Sequence, residues 1–442
     1  MKDRQNLLKN GNAWKVISSL AIPSCIITLV MAVYNMADVF FIGKTGNTNM
    51  VNAIAVCMPV FTIIQAFGTL VGMGGCTAIS LALGREDMKK CRQISSFAFW
   101  FCLVFGAFLA VGTNLAVEPL LTFLGVSEGS REFAATYLRI LSVGCPVMMF
   151  SNSFVNLLRA DGSVKESMAA NLSGTFVNMI LDPIMILVFN MGVGGAAVAT
   201  VLGNLTASIV VFTYLRKKTD TLSIHPKDLS FRPDITWRTL LLGLPLASGT
   251  LIMSFTYMLM NNLLLKISPD AQGAFGICRS LMLFSTMIQM GICVGVQPAV
   301  SYNYGQKNYR RVKEFILKTG AVTVCFGAIV AVACIGFSEV LLGSFIDSPA
   351  IISYGRVILV GCFCTAPVYG IYQMAVTFLQ AIERPMWSTV ITVLRQGGII
   401  MPAMLLLGLA FGFEGLAFSF AVTDIIAALI GGVLLGRQLK KI

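Results

Sequence analysis

A chain that begins to match itself after a shift of 221 residues is most simply two copies of one folding unit. Ser80 to Arg92 (SLALGREDMKKCR) falls on Ser301 to Lys313 (SYNYGQKNYRRVK), with Gly84 on Gly305. Val143, Cys145 and Pro146 lead into Asn156-Leu-Leu-Arg-Ala160, and at the same offset Pro367 leads into Thr377-Phe-Leu-Gln-Ala381. In an apolar chain such a duplication points to two lobes arranged about a central site.

The chain is apolar enough for that reading. Of its 442 residues 56% are hydrophobic and 12% charged, about half the charged share of an ordinary soluble domain, and its mean hydropathy is +0.81. Runs of roughly 20 residues or more, the length that crosses a bilayer, fall at about 13–43, 51–83, 94–119, 132–158, 166–190 and 195–215. A second set falls at about 237–266, 272–304, 315–342, 353–381, 386–410 and 415–436. The expected fold is an all-α membrane protein of twelve transmembrane helices in two pseudo-symmetric six-helix lobes. Residues 1–215 form the first lobe, 216–236 a cytoplasmic linker and 237–442 the second lobe.

Basic residues gather at alternate ends of these spans. Lys2 to Lys15, Arg85 to Arg92, Arg159 and Lys165, Arg216 to Arg238, Lys307 to Lys318, Arg384 and the tail from Arg437 lie on one side, against Lys44, Arg131 and Lys266 on the other. The positive-inside rule then places both termini in the cytoplasm, in a multi-pass protein of the cytoplasmic (inner) membrane. This asymmetry accounts for the net charge of +12, so anionic lipid rather than nucleic acid is the expected counter-surface. The first segment is too long for a signal peptide and lacks a small-residue cleavage pattern. The twelve cysteines sit in or beside spans, where packing as small apolar groups is the expected role. His225, the one histidine, lies in the charged linker and is given no role.

Acids deep in the spans are confined almost wholly to the first half, and a carboxylate in hydrocarbon costs about 3 kcal/mol or more unless paired or functional. Asp38 is six residues before Lys44, roughly 9 Å below the outer edge of span 1, and Asp182 is eight before Asn190, roughly 12 Å deep in span 5. Asn178 precedes Asp182 by one turn and shares its face. Thr200 reaches a similar depth in span 6, and Asn156 lies two-thirds along span 4. Two carboxylates, an amide oxygen and a hydroxyl are a set of hard oxygens suited to Na⁺; two nearby carboxylates would alternatively share a proton. Pro183 removes a backbone donor beside this cluster and kinks the helix. In the second half Arg395 of span 11 and Asp424 of span 12 are placed to form an intramembrane pair, while Arg279 stands apart.

The sequence resembles the multidrug and toxic compound extrusion (MATE) family over nearly its whole length. The motifs are Pro23 followed by Tyr34-Asn-Met-Ala-Asp38 and Phe41-Ile-Gly43, then Asn156-Leu-Leu-Arg-Ala-Asp-Gly162, Asn178-Met-Ile-Leu-Asp182-Pro183 and Gly192-Val-Gly-Gly-Ala-Ala-Val-Ala-Thr200. The second half adds Gly295-Val-Gln-Pro298-Ala-Val-Ser-Tyr-Asn-Tyr-Gly305 and Leu394-Arg-Gln396. The resemblance implies a V-shaped pair of lobes with a first-lobe cation site at Asp38, Asn178, Asp182 and Thr200, and Asn156 nearby. It is closest to the DinF-like and MepA-like branches, since spans 7, 8 and 10 hold no interior acid.

By the same resemblance the chain is a secondary active multidrug efflux antiporter, exchanging cytoplasmic amphipathic or cationic compounds for Na⁺ or H⁺ by alternating access. It is expected to act as a monomer, without a cofactor. A substrate cavity would draw on Tyr34, Met253, Tyr257, Met260, Asn261, Met282, Gln289, Met290, Tyr369, Tyr372 and Gln373, whose soft and aromatic groups suit varied cations. The alternative is a lipid-linked oligosaccharide flippase of the same superfamily, disfavoured by the small number of arginines within spans. An enzyme is not expected, because no His or Cys cluster, nucleophile elbow or phosphate loop is present.

Overall fold

The computed structural model describes residues 11–43, 47–126, 128–217, 219, 221–344 and 348–441, the side chains of 31–40, 42–43, 48 and 55 excepted. Helices α1 (Ala13–Gly43), α2 (Thr48–Gly84), α3 (Met88–Leu115), the short α4 (Val117–Phe123), α5 (Glu128–Val143), α6 (Cys145–Ala160), α7 (Val164–Pro183) and α8 (Gly192–Lys217) carry the first half. The second half comprises α9 (Thr236–Leu265), α10 (Pro269–Gly305), α11 (Tyr309–Gly336), the short α12 (Ser338–Gly343), α13 (Pro349–Phe363), α14 (Ala366–Ala381), α15 (Pro385–Val393) and α16 (Ile400–Lys441). No strand occurs among the described residues.

Among the described residues nine stretches are long and apolar enough to cross a bilayer, and two bent pairs raise the number to eleven. The last stretch, residues 385–441, is far longer than one crossing needs. Its backbone leaves the helical region at Gly412 (φ 59°, ψ −131°), a conformation open to glycine at little cost. Breaking it there yields the twelve crossings expected from hydropathy.

Two crossings expected to be continuous are bent. α5 meets α6 at 56° and α13 meets α14 at 44°, and each second helix opens with a proline in its first turn, Pro146 and Pro367. Proline there gives up no intrahelical bond but cannot continue the preceding helix. Because these two prolines are 221 residues apart, the bend is a property of the repeat.

The chain packs as two compact units, residues 26–247 and residues 1–25 with 248–442. The division between these units falls inside α1 and α9. Glycines show why. A Cβ on Gly74 of α2 would strike the backbone of α9 at Thr239 and Gly243, and one on Gly295 of α10 would lie 2.7 Å from the carbonyl oxygen of Leu20 in α1. Gly74 and Gly295 are again 221 residues apart. Each repeat therefore seats the opening turns of the other repeat's first helix against its own second helix.

Linker residues 221–235 are tied to α3. Ser95 Oγ donates to the carbonyl of Ser223 (3.0 Å) and accepts from its N–H (2.7 Å), Ser96 Oγ donates to the carbonyl of His225 (2.8 Å), and Lys90 Nζ meets Asp234 Oδ2 at 3.0 Å. In the first unit Cys57, Cys76, Cys91, Cys102 and Cys145 are buried within the apolar interior, matching the packing role expected of them.

Candidate functional site

In the unit of residues 26–247, α7 and α8 bring the polar positions together. Asn171, Thr175 and Asn178 recur at intervals of four and three and so lie on one face of α7, and Asp182 continues that face by one turn. α8 crosses close by, because Gly174 and Gly203 leave no side chain between the two backbones. Asn178 is 3% exposed, Asp182 0% and Thr200 4%. Asn178 Nδ2 donates to Thr200 Oγ1 across 3.5 Å, while Asn178 Oδ1 is buried and accepts no hydrogen bond among the described residues.

A cavity opens beside this pair, lined by Gln65, Ser151, Asn171, Thr175, Asn178, Thr200 and Asn204 together with three small residues. About 70 Å³ of it is open to the centre of a water molecule, room for a few waters at roughly 10–15 Å³ each. Amide and hydroxyl oxygens lining this space offer the hard ligands that a small cation takes in place of its hydration shell.

Helical structure continues beyond Pro183, the last residue of α7. The proline keeps helical angles (φ −62°, ψ −33°) and the chain passes into a π-helical turn, Ile184–Val188, a form that recurs at functional sites because one extra residue loosens the helix locally.

Asn178, Asp182 and Thr200 are buried in the same unit, on neighbouring helices. Asn156 is 8% exposed; its Nδ2 donates to the carbonyl of Asn152 at 2.8 Å, and it does not line the cavity. Tyr34 and Asp38 lie on α1, with side chains outside the described residues. Gln65, Ser151, Asn171, Thr175 and Asn204 line the cavity without having been singled out in the sequence. The α7 pair could have been found from its spacing to Asn178, and Asn204 from its position one turn after Thr200. Gln65 and Ser151 come from α2 and α6 and carry no local signal.

In the other unit the residues expected to line a substrate cavity divide. The rings of Tyr369 and Tyr372 lie 5.6 Å apart, tilted by 43°, Tyr369 Oη donates to Gln373 Oε1 at 3.5 Å, and Arg279 lies 5.2 Å above the ring of Tyr257. Gln289 is fully buried, with Nε2 donating to Ser285 Oγ at 3.5 Å. Met260 and Met282 belong to the apolar core with Phe275 and Phe420. Met253, Asn261 and Met290 are half-buried. Arg395 and Asp424 form the expected pair, Nη2 to Oδ1 at 2.7 Å, and Arg395 sits at the start of a second π-helical turn, Leu394–Ile399.

Two six-crossing repeats with buried polar helix pairs define a two-lobed membrane transporter. The MatE family model matches residues 23–184 and 245–406, one stretch in each repeat, and the chain belongs to the MatE family. The multidrug export protein MepA of Staphylococcus aureus (strain N315) is 28% identical over 433 residues, covering 97% of this chain and 95% of the relative. MepA of Staphylococcus saprophyticus is 27% identical over 430 residues with the same coverage. Among solved structures, MATE in the straight conformation has a TM-score of 0.93 at 22% identity, covering 99% of this chain and 98% of its own. An outward-facing multidrug resistance MATE family transporter of the MOP superfamily has 0.92 at 23%, covering 98% and 97%. At these identities the structural likeness carries the fold.

Proposed function

We propose that the chain is a secondary active multidrug efflux antiporter of the inner membrane, with both termini in the cytoplasm. It exchanges cytoplasmic amphipathic or cationic compounds for Na⁺ or H⁺ by alternating access. The observation that carries this reading is the buried Asn178–Thr200 pair, with an unsatisfied amide oxygen beside a polar cavity and Asp182 one turn away. Relatives named as multidrug export proteins support the substrate class.

In this reading Asp38 joins Asp182, Asn178 and Thr200 around the coupling ion. Asp182 supplies charge, Asn178 Oδ1 and Thr200 Oγ1 supply neutral oxygens, and the π turn after Pro183 lets α7 adjust as the ion enters or leaves. Binding shifts the balance between outward- and inward-open arrangements only by the difference in its affinity for the two. The membrane potential adds about 2.3 kcal/mol per inward charge per 100 mV, so even one charge per cycle biases it strongly.

The test is transport into proteoliposomes under separately imposed Na⁺ and pH gradients. Drug movement driven by one gradient alone names the ion. Transport indifferent to both, or uptake of a lipid-linked sugar without drug transport, contradicts the proposal.

A further inference from the structure

The two repeats can be laid on one another by their own contacts. Ser167 Oγ donates to the carbonyl of Val155 across 2.6 Å, and Ser388 Oγ to that of Val376 across 2.6 Å, the same bond at a shift of 221. Gly192 and Gly412, with φ 53° and 59°, open the last crossing of each repeat at a shift of 220. In these registers Gly174 falls on Arg395, Thr175 on Gln396, Ser151 on Tyr372 and Asn204 on Asp424. The first member of every pair lines the polar cavity between α7 and α8.

Where the first repeat leaves room for a few waters, the second holds a guanidinium. Arg395 donates to Asp424 Oδ1 from Nε at 2.8 Å and meets it from Nη2 at 2.7 Å, and its Nη1 donates to Gln396 Oε1 at 3.3 Å. The rings of Tyr369 and Tyr372 each lie 4.7 Å from Cζ. Thr365 Oγ1 donates to Asp424 Oδ2 at 3.3 Å. The Arg395 and Asp424 side chains are 9% and 6% exposed. A carboxylate backed by a hydroxyl, with two aromatic rings over the position of the cation, is the environment that a flat, delocalised cation takes in preference to a compact, strongly hydrated one.

We propose that Asp424, Tyr369 and Tyr372 form a binding site for a planar organic cation of the guanidinium class, filled here by the protein's own Arg395. The tether keeps that occupant at a high effective concentration, so a free cation enters only once the side chain is removed. The proposal stands whether or not an ion binds at Asp182.

The experiment is thermal unfolding of purified Arg395→Ala in detergent with low-millimolar guanidinium chloride, against equal sodium chloride and equal urea. A ligand that binds only the folded state raises its melting temperature. Arg395→Ala is expected to melt below wild type and to regain several degrees in guanidinium but not in sodium chloride or urea. Wild type is expected to gain nothing, and Arg395→Ala/Asp424→Asn to show no recovery. No recovery in the single variant, equal recovery in sodium chloride, or recovery that persists in the double variant overturns the proposal. If Arg395→Ala does not fold unaided, it is made and purified with guanidinium throughout. Folded protein that is lost when guanidinium is removed supports the site, and failure to obtain folded protein even then overturns it.

Discussion

Gly174 and Gly203 meet so closely that a Cβ built on either would lie 2.6 or 2.7 Å from the other's carbonyl oxygen. That contact sets the distance between α7 and α8 and with it the shape of the polar cavity. A side chain at Gly203 would also press on Asn178, whose Cβ lies 2.8 Å from the added carbon, so packing and the candidate site are governed by the same pair of residues.

Gly203→Ala is therefore expected to part the two helices, at about 1–3 kcal/mol for an overpacked contact. Thermal unfolding in detergent should show a lower melting temperature, and transport should lose cation dependence. An unchanged melting temperature would mean that the contact is not tight.

Thr200→Val removes the acceptor for Asn178 Nδ2 and one candidate ligand while nearly keeping volume. A buried donor left without its partner costs about 1–3 kcal/mol, so the apparent affinity for the coupling cation should fall by about tenfold or more, with little change in affinity for the drug. Half-saturation measured separately for ion and drug checks this; a loss confined to the drug would contradict it.

The Arg395–Asp424 pair makes a stability prediction of its own. Asp424→Asn leaves a guanidinium buried without its counter-charge, at about 3–5 kcal/mol, whereas replacing both partners with apolar groups of similar size is often close to neutral. Arg395→Met/Asp424→Leu should melt nearer to wild type than Asp424→Asn does. The reverse order would show that the pair is not desolvated.

The linker carries a pH dependence. The hydrogen bond from Lys90, with the charges of Lys90 and Arg232, holds the Asp234 carboxyl below its ordinary value of 3.8. Since this value is depressed on folding, the contact contributes fully above the ordinary carboxylate range and is lost only as pH falls through the depressed value. Protection of residues 221–235 from proteolysis should be flat from neutrality to about pH 5 and fall only in stronger acid. Loss of protection near pH 6 would contradict the contact.

The twelve crossings were legible because hydropathy over twenty residues is a strong signal, and the repeat was legible because Gly84 and Gly305, like Pro146 and Pro367, recur at one offset, the prolines each opening a helix after a bend. The bends at 143–145 and 363–366 were hidden because the apolar runs at about 132–158 and 353–381 continue across them. The packing of α9's opening turns on α2 and of α1 on α10 was hidden for another reason: it depends on Gly74 and Gly295 meeting helices remote in sequence. At the candidate site, Asn178 and Asp182 could be read from one helix face and Thr200 from its depth. Gln65 and Ser151 join the cavity only through tertiary packing of α2 and α6. The filling of the second-repeat counterpart by Arg395 follows from register, which the simple 221 shift misses by one residue in the last crossing.

The central claim is that Asp182, with Asp38, binds the ion that drives export. Efflux of a cationic dye from cells producing Asp182→Asn or Asp38→Asn at wild-type levels tests it most directly. The account predicts that either variant loses ion-dependent efflux while remaining folded in the membrane. Efflux at the wild-type rate with unchanged dependence on the cation would contradict it.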